Sequence, residues 1–396
     1  MDENKKELNK NIKLLGWTSF SEDVSSQMNY SILPLFLANV LGVNKTFIGL
    51  IEGIAETTAS FLKVFFGWLS DRLKKRKIFI VAGYSIGAFS KPFLSIAAKG
   101  WHVLGLRFMD RIGKGTRTSP RDALIADSCE ECSRGKAFGF HRSMDTAGAV
   151  VGPLLAFLFL YFCKFSYRNI FLISVIPAGL AVVLILFTRE QKPPSFPSAE
   201  PAAKGQHKEK KLPLSSDLKK FLFVVVLFTL GNSSDAFLIL RAGGTGINTA
   251  FVPVLWVAFN LAYALSAFPA GILSDRIGSK RILTYGFLIY AFVYAGFSIA
   301  ASPWLVWILF IAYGFYYGLT DGVSRAFVSK LVPPEQRATA FGIYHSTVGF
   351  LALPSSLIMG ILWDRMGPET AFLFGSAMAV VSTVFFILFK FKVKEG

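Results

Sequence analysis

Apolar runs separated by short polar breaks recur along the whole chain, as at residues 78–98, 221–230, 282–301 and 372–389. Several reach the ~20 residues that carry an α-helix across a bilayer. Runs and breakers together predict twelve helices. Six lie near 13–40, 46–70, 78–98, 101–127, 136–162 and 168–188, and six near 219–240, 247–273, 281–301, 303–330, 336–362 and 369–391. The stretch between the sets is rich in Lys, Pro and Ser, with Pro193-Pro194 and Lys208-Glu209-Lys210-Lys211. Such a composition cannot bury a core and reads as a linker. The pattern predicts an all-α membrane protein: an N-terminal six-helix bundle over 1–188, a basic, Pro-rich linker over 189–218 and a C-terminal six-helix bundle over 219–396.

The two sets are related. Gly67-Trp68-Leu69-Ser70-Asp71-Arg72 returns as Gly271-Ile272-Leu273-Ser274-Asp275-Arg276, and 275 − 71 gives an offset of 204. Arg134-Gly135-Lys136-Ala137-Phe138-Gly139 is echoed by Arg337-Ala338-Thr339-Ala340-Phe341-Gly342 at an offset of 203. Repeats of equal topology suit a machine whose halves rock about a site between them, which is how secondary transporters alternate access.

Charge then fixes an orientation. The chain carries 42 Lys and Arg against 25 Asp and Glu, a net +17, yet only 17% of its residues are charged. The bases gather in short breaks such as Arg72 and Lys74–Lys77, and at Lys5, Lys6, Lys392 and Lys394, where headgroups and not nucleic acid meet them. Their bias predicts that both termini and the linker are cytoplasmic, in the cytoplasmic membrane. Polar Met1–Lys10 lacks the form of a signal peptide, so the first helix is expected to be retained. Cys129, Cys132 and Cys163 form no disulfide framework, and the Cys129/Cys132 pair does not complete a metal site. No phosphate-binding loop or catalytic cluster is present. No enzyme activity, cofactor or nucleic acid is expected; the expected partners are a small-molecule substrate, protons and lipid, with the chain acting as a monomer.

These features resemble the major facilitator superfamily over essentially the whole chain. Its loop motif, GxxxDRxGRK, is matched by Gly271, Asp275, Arg276, Gly278, Lys280 and Arg281. The copy at Gly67, Asp71 and Arg72 has Lys74 in place of the second glycine, and a partial third copy comprises Gly360, Asp364, Arg365 and Gly367. The resemblance implies that Asp71 and Asp275 close the inner side by capping neighbouring helix N-termini. Gly139, Gly148, Gly152 and Pro153 resemble most of the fifth-helix motif of proton-coupled antiporters, most like the twelve-helix drug:proton group. Ala156-Phe157 stands where that motif closes on two glycines. A plain packing stripe of small residues would read the same way.

Charged residues inside apolar helices cost roughly 2.5–3.5 kcal/mol each on insertion scales, so each invites a role. They concentrate in the first half. Arg107, Arg111, Lys114 and Arg117 follow helical spacing and make one cationic face of the fourth helix. That face either pairs internally with carboxylates or binds an anionic or zwitterionic substrate. Lys91, Arg107, Arg111, Lys114, Arg117, Arg142, Asn232, Asp235, Asn260, Tyr317, Asp321 and His345 are candidate cavity residues. Proton coupling needs a carboxylate able to trade its proton for a cationic neighbour; Asp23 and Asp145 lead, followed by Glu22, Glu56 and Asp110. The expected activity is proton-coupled export of a small organic molecule. Import of an anionic or zwitterionic metabolite is the alternative, and a non-transporting sensor or scaffold the remote one.

Overall fold

A computed structural model describes residues 9–129, 134–190, 215–333 and 336–391. Lys5, Lys6, Cys132, Lys392, Lys394 and linker residues 191–214, with their proline and lysine runs, lie outside them. The described residues contain helices and no strand. The first set comprises α1 (Lys10–Tyr30), α2 (Lys45–Leu73), α3 (Lys77–Ile96), α4 (Gly100–Asp127), α5 (Arg134–Tyr161), α6 (Tyr167–Ile173) and α7 (Val175–Leu186). The second comprises α8 (Ser216–Gly231), α9 (Ala236–Gly243), α10 (Val252–Ile277), α11 (Ser279–Ile299), α12 (Pro303–Lys330) and α13 (Arg337–Leu388).

Short polar residues start several helices by accepting an otherwise orphaned amide. Asn44 Oδ1 accepts from Phe47 N at 2.8 Å, and Ser215 Oγ from Leu218 N at 3.0 Å. Interruptions also follow local chemistry. The expected helix over 13–40 stops at Tyr30, before a short turn at Leu33–Leu35 and a π-helical turn at Phe36–Val40. Pro34 supplies no amide and restrains the residue before it. The expected helix over 219–240 breaks at Asn232-Ser233-Ser234-Asp235, whose side chains compete for backbone bonds. Within α13, Gly367 leaves helical geometry at φ 88°, so two helices meet there.

Twelve spans are expected, and among the described residues eight helices are long and apolar enough to cross a membrane. The last of them contains the Gly367 break, while α1, α2 and α4 fall outside the criterion because polar residues interrupt them.

Within the first set, α1 lies against α5 and α7, α2 against α4, and α3 against α4 and α7. In the second, α8 and α11 lie against α13, and α10 and α11 against α12. The sets meet through α2 with α13 and α5 with α10. Glycines permit these approaches. A methyl group on Gly53 would stand 2.7 Å from Leu353 Cα, and one on Gly360 2.7 Å from Thr46 Cα. The α2–α13 seam is tight at the end far from the chain termini and ends near Ser60 and Gly349. Beyond that point Phe61, Val64, Phe65 and Trp68 are exposed and line a crevice.

Candidate functional site

Between the sets lies a cavity of about 370 Å³. The N-terminal wall is built from charge. Residues 107, 111, 114 and 117 recur at i+3 and i+4 and therefore share a face of α4. Three of these four cations are committed to carboxylates. Arg107 Nη2 donates to both Glu52 oxygens, at 2.9 and 2.7 Å, and Arg111 Nη2 lies 3.1 Å from Glu56. Arg117 Nη2 donates to Glu22 Oε1 at 3.1 Å, and Lys91 Nζ reaches the same oxygen at 3.0 Å. Arg107 also stands 3.8 Å from Asp110. Lys114 has no carboxylate within ion-pair distance among the described residues, and Asp23 has no such cation. The internally paired and substrate-binding readings of this face thus apply to different residues.

The opposite wall is polar and aromatic. Asp235 Oδ1 accepts the Tyr313 hydroxyl at 2.6 Å, and Asn232 Nδ2 lies 3.4 Å from Tyr316 Oη. Tyr317 and Trp256 complete the rim, with Trp256 Nε1 donating to Gln27 Oε1 at 2.9 Å across the two sets.

Of the expected residues, the structure brings Asp23, Glu22, Glu56, Asp110, Arg107, Arg111, Lys114, Arg117, Asn232, Asp235 and Tyr317 to this cavity. Lys91 sits behind it, donating to Glu22 and to Ser25 Oγ at 2.9 Å. Asp145 is held away from it by the Ser19 hydroxyl and by His141 Nδ1 at 3.6 Å. Arg142 and Asp321 belong to a bridge between the sets: Arg142 Nη2 donates to Tyr263 Oη at 2.7 Å, and that hydroxyl donates to Asp321 at 2.8 Å. Arg325 closes on Asp321 at 2.7 Å. Asn260 spends its amide on the Trp256 carbonyl at 2.8 Å, and His345 is exposed on α13. Ser26, Gln27 and Tyr30, unmarked in sequence, join the lining because they continue the α1 face of Glu22 and Asp23. Ser355 and Ser356 carry no such helical clue.

The fifth-helix glycines divide. Methyl groups on Gly148 and Gly152 would stand 2.7 Å from Phe20 O and 3.0 Å from Met28 N, so these two positions bring α5 onto α1. Gly139 faces open space, and Pro153 lies inside the helix.

The three loop-motif copies are equally unlike one another. Asp71 is exposed, with Arg76 Nη2 at 3.5 Å, and Asp275 is exposed at the end of α10. Neighbouring Arg72 lies over Trp68, 5.4 Å from its ring centre, while Arg276 is exposed and Gly271 has open space. A methyl on Gly67 would stand 3.2 Å from Ser119 Cβ. In this conformation the third copy is the one that caps. Asp364 accepts from the backbone amides of Lys45 at 3.0 Å and Thr46 at 2.7 Å, and from the Thr46 hydroxyl at 2.7 Å. A carboxylate at a helix start satisfies orphan amides and suits the helix dipole. Asp364 therefore ties α13 to the start of α2 where the far end is closed.

The sequence profile of the Major Facilitator Superfamily matches residues 15–255 and 221–395. The chain belongs to this superfamily. An uncharacterized MFS-type transporter of Methanocaldococcus jannaschii is 38% identical over 387 residues, spanning 96% of this chain and 95% of its own. A multi-drug resistance efflux pump PmrA homolog of Lactococcus lactis is 25% identical, spanning 91% and 89%. The cis,cis-muconate transport protein of Acinetobacter baylyi is 24% identical, spanning 76% and 77%. The crystal structure of the nucleoside transporter NupG matches with a TM-score of 0.75 at 16% identity, over 96% of this chain and 99% of that one. The architecture is the major-facilitator fold, and membership makes the chain a multi-pass membrane protein of a secondary-transport family that carries small molecules.

Proposed function

We propose that the chain exports a small organic molecule in exchange for protons, by rocking residues 1–188 against 219–396 about the linker at 189–218. One observation carries the reading: among the described residues, the half-buried carboxylate of Asp23 lines the cavity with no cation within ion-pair distance, while Lys114 lines the same cavity with no carboxylate within that distance. A carboxylate that can alternate between a proton and a cation gives the two states different affinities for substrate. Gly148 supports antiport, since it brings the α5 antiporter-like motif against α1 at Asp23. With both termini cytoplasmic, in the cytoplasmic membrane, this conformation is closed outside and open inside. It functions as a monomer.

The test uses purified protein in proteoliposomes, with compounds first selected by thermal stabilisation. A true substrate should drive proton flow opposite to its own, and Asp23→Asn should lower that coupled flow at least tenfold. Flow in the same direction identifies import instead, the reading favoured by uncommitted Lys114. Intact proton-driven transport in both Asp23→Asn and Asp145→Asn would remove the coupling assignment.

A further inference from the structure

The charged cavity does not end at its polar lining. A second space, of about 380 Å³, lies between α2 and α13 and is walled chiefly by Phe61, Val64, Phe65, Trp68 and Phe350. Ser60 and Gly349 line both spaces, so the two adjoin where α2 and α13 touch at that pair. The junction has a helical basis. Ser60 lies one turn along α2 from Glu56, and Glu56 holds Arg111. An apolar crevice on the outer surface therefore ends about one helical turn from the Glu56–Arg111 pair.

Those cations retain unused donors. Arg107, Arg111 and Arg117 are each more than nine-tenths buried. Among the described residues Arg107 Nε, Arg111 Nε and Arg117 Nη1 have no hydrogen-bond acceptor. These atoms are sealed from the cavity, which leaves the contact with a ligand to Lys114 and the outer edge of Arg111. A buried donor left unmatched costs free energy, and a guanidinium edge is shaped for carboxylate or phosphate oxygens. Lys114 adds an ammonium with no carboxylate within ion-pair distance among the described residues. The Lys114 ammonium at the inner end and an apolar trough at the outer end are complementary to one kind of molecule.

We propose that the two spaces together bind a single-chain amphiphile drawn from the bilayer, with its anionic head at Lys114 and Arg111 and its tail along Phe61, Val64 and Trp68. The proposal rests on the transport reading for its site, and names the class of substrate that reading leaves open. The crevice lies on the terminus-bearing side of the α2–α13 seam, so the molecule leaves one leaflet sideways and meets the cavity head first. Closing that side would bring the two helices together and expel the tail.

Photolabelling tests the geometry without requiring flux. The probe is a twelve-carbon carboxylate with a mid-chain diazirine, added to the purified full chain in nanodiscs, and the labelled residues are mapped by peptide mass spectrometry. Labels should concentrate on residues 61–68 and 346–350. Dodecanoate should compete at least tenfold better than dodecyltrimethylammonium, which reverses the head charge. Lys114→Ala should lower crevice labelling at least tenfold, Lys114→Arg should retain it, and Val64→Trp should block it by filling the trough. Thermal unfolding of Lys114→Ala close to the wild-type temperature shows that its loss of labelling is not misfolding. Labels spread evenly onto lipid-facing positions such as Phe292 would mean ordinary bilayer lipid only and overturn the proposal. Equal competition by the cation, or indifference to Val64→Trp, would do the same. Crevice labelling without proton-coupled flux would leave the site and remove the transport reading. Coupled flux of a tail-less substrate without crevice labelling would do the reverse.

Discussion

The interior of the first helix set is held by charge and that of the second by rings. In the first, Glu22 Oε1 serves two cations, Lys91 and Arg117, and Glu52 takes Arg107 through two bonds. In the second, Tyr290 stacks on Tyr294 with ring centres 4.2 Å apart, and Phe228 stacks on Phe287 at 4.4 Å. Tyr290 Oη donates to the Gly231 carbonyl at 2.9 Å. The two solutions respond differently to damage. A buried ion pair adds little over an apolar replacement, yet losing one partner strands a charge. An aromatic cluster loses contacts piecemeal, since its attraction is the sum of many small terms. The charged half therefore specifies its arrangement sharply, while the aromatic half supplies a compact counterpart for it to move against.

The widest expected gap tests that contrast directly. Glu22→Gln should destabilise the protein by about 3–5 kcal/mol, because two buried cations lose their shared carboxylate. Tyr290→Phe should cost only about 1 kcal/mol, the net worth of one hydrogen bond. Denaturation of the two variants in the same detergent checks this, and equal losses would erase the distinction between the halves.

A smaller effect separates the loop-motif copies. Asp364→Asn turns a carboxylate that accepts three bonds into an amide with one accepting oxygen. It should weaken the far-end closure by about 1.5–3 kcal/mol and populate conformations with α2 and α13 parted there. Spin-label distances across that seam are the measurement. Asp71→Asn should leave the same distances unchanged, because Asp71 is 68% exposed in this conformation.

The smallest effect concerns the residue ending each copy. Gly278 and Gly367 adopt φ of 96° and 88°, and Lys74 stands at the same motif position with φ 51°. Lys74, with ψ 29°, lies in the left-handed helical well, where a side chain costs about 1–2 kcal/mol. Gly278 and Gly367, with ψ 134° and 165°, lie in a region essentially reserved for glycine. Lys74→Gly should therefore raise stability by about 1 kcal/mol, and Gly278→Ala should lower it by about 1–2 kcal/mol. Thermal unfolding with opposite signs of shift is the expected result.

The lysine at 74 also illustrates what could be read in advance. The motif marked it as a departure at a glycine position, and the structure adds that its backbone takes a positive φ, which spacing did not give. The cationic face of α4 was legible, because helical periodicity puts 107, 111, 114 and 117 together whatever surrounds them. Which of those cations would be neutralised was not legible. Glu52 lies 55 residues from Arg107 and Glu22 lies 95 from Arg117, and nothing local selects those partners. Runs and breakers marked α1, α2 and α4 as helices, although their polar side chains lower their mean hydropathy; α2 and α4 turn those side chains toward each other.

Residue order is enough to establish the helical periodicity, the duplication and the superfamily, all properties of repeated local pattern. Its charge bias also supplied the orientation adopted in the functional reading. Packing in three dimensions was needed to leave Lys114 and Asp23 uncommitted, to draw Asp145 aside by Ser19 and His141, and to make Asp364 the capping carboxylate in this conformation. Each of those outcomes depends on distances of a few ångströms between residues from different helices. Coulomb and hydrogen-bond energies change steeply over that range, and sequence spacing does not encode it.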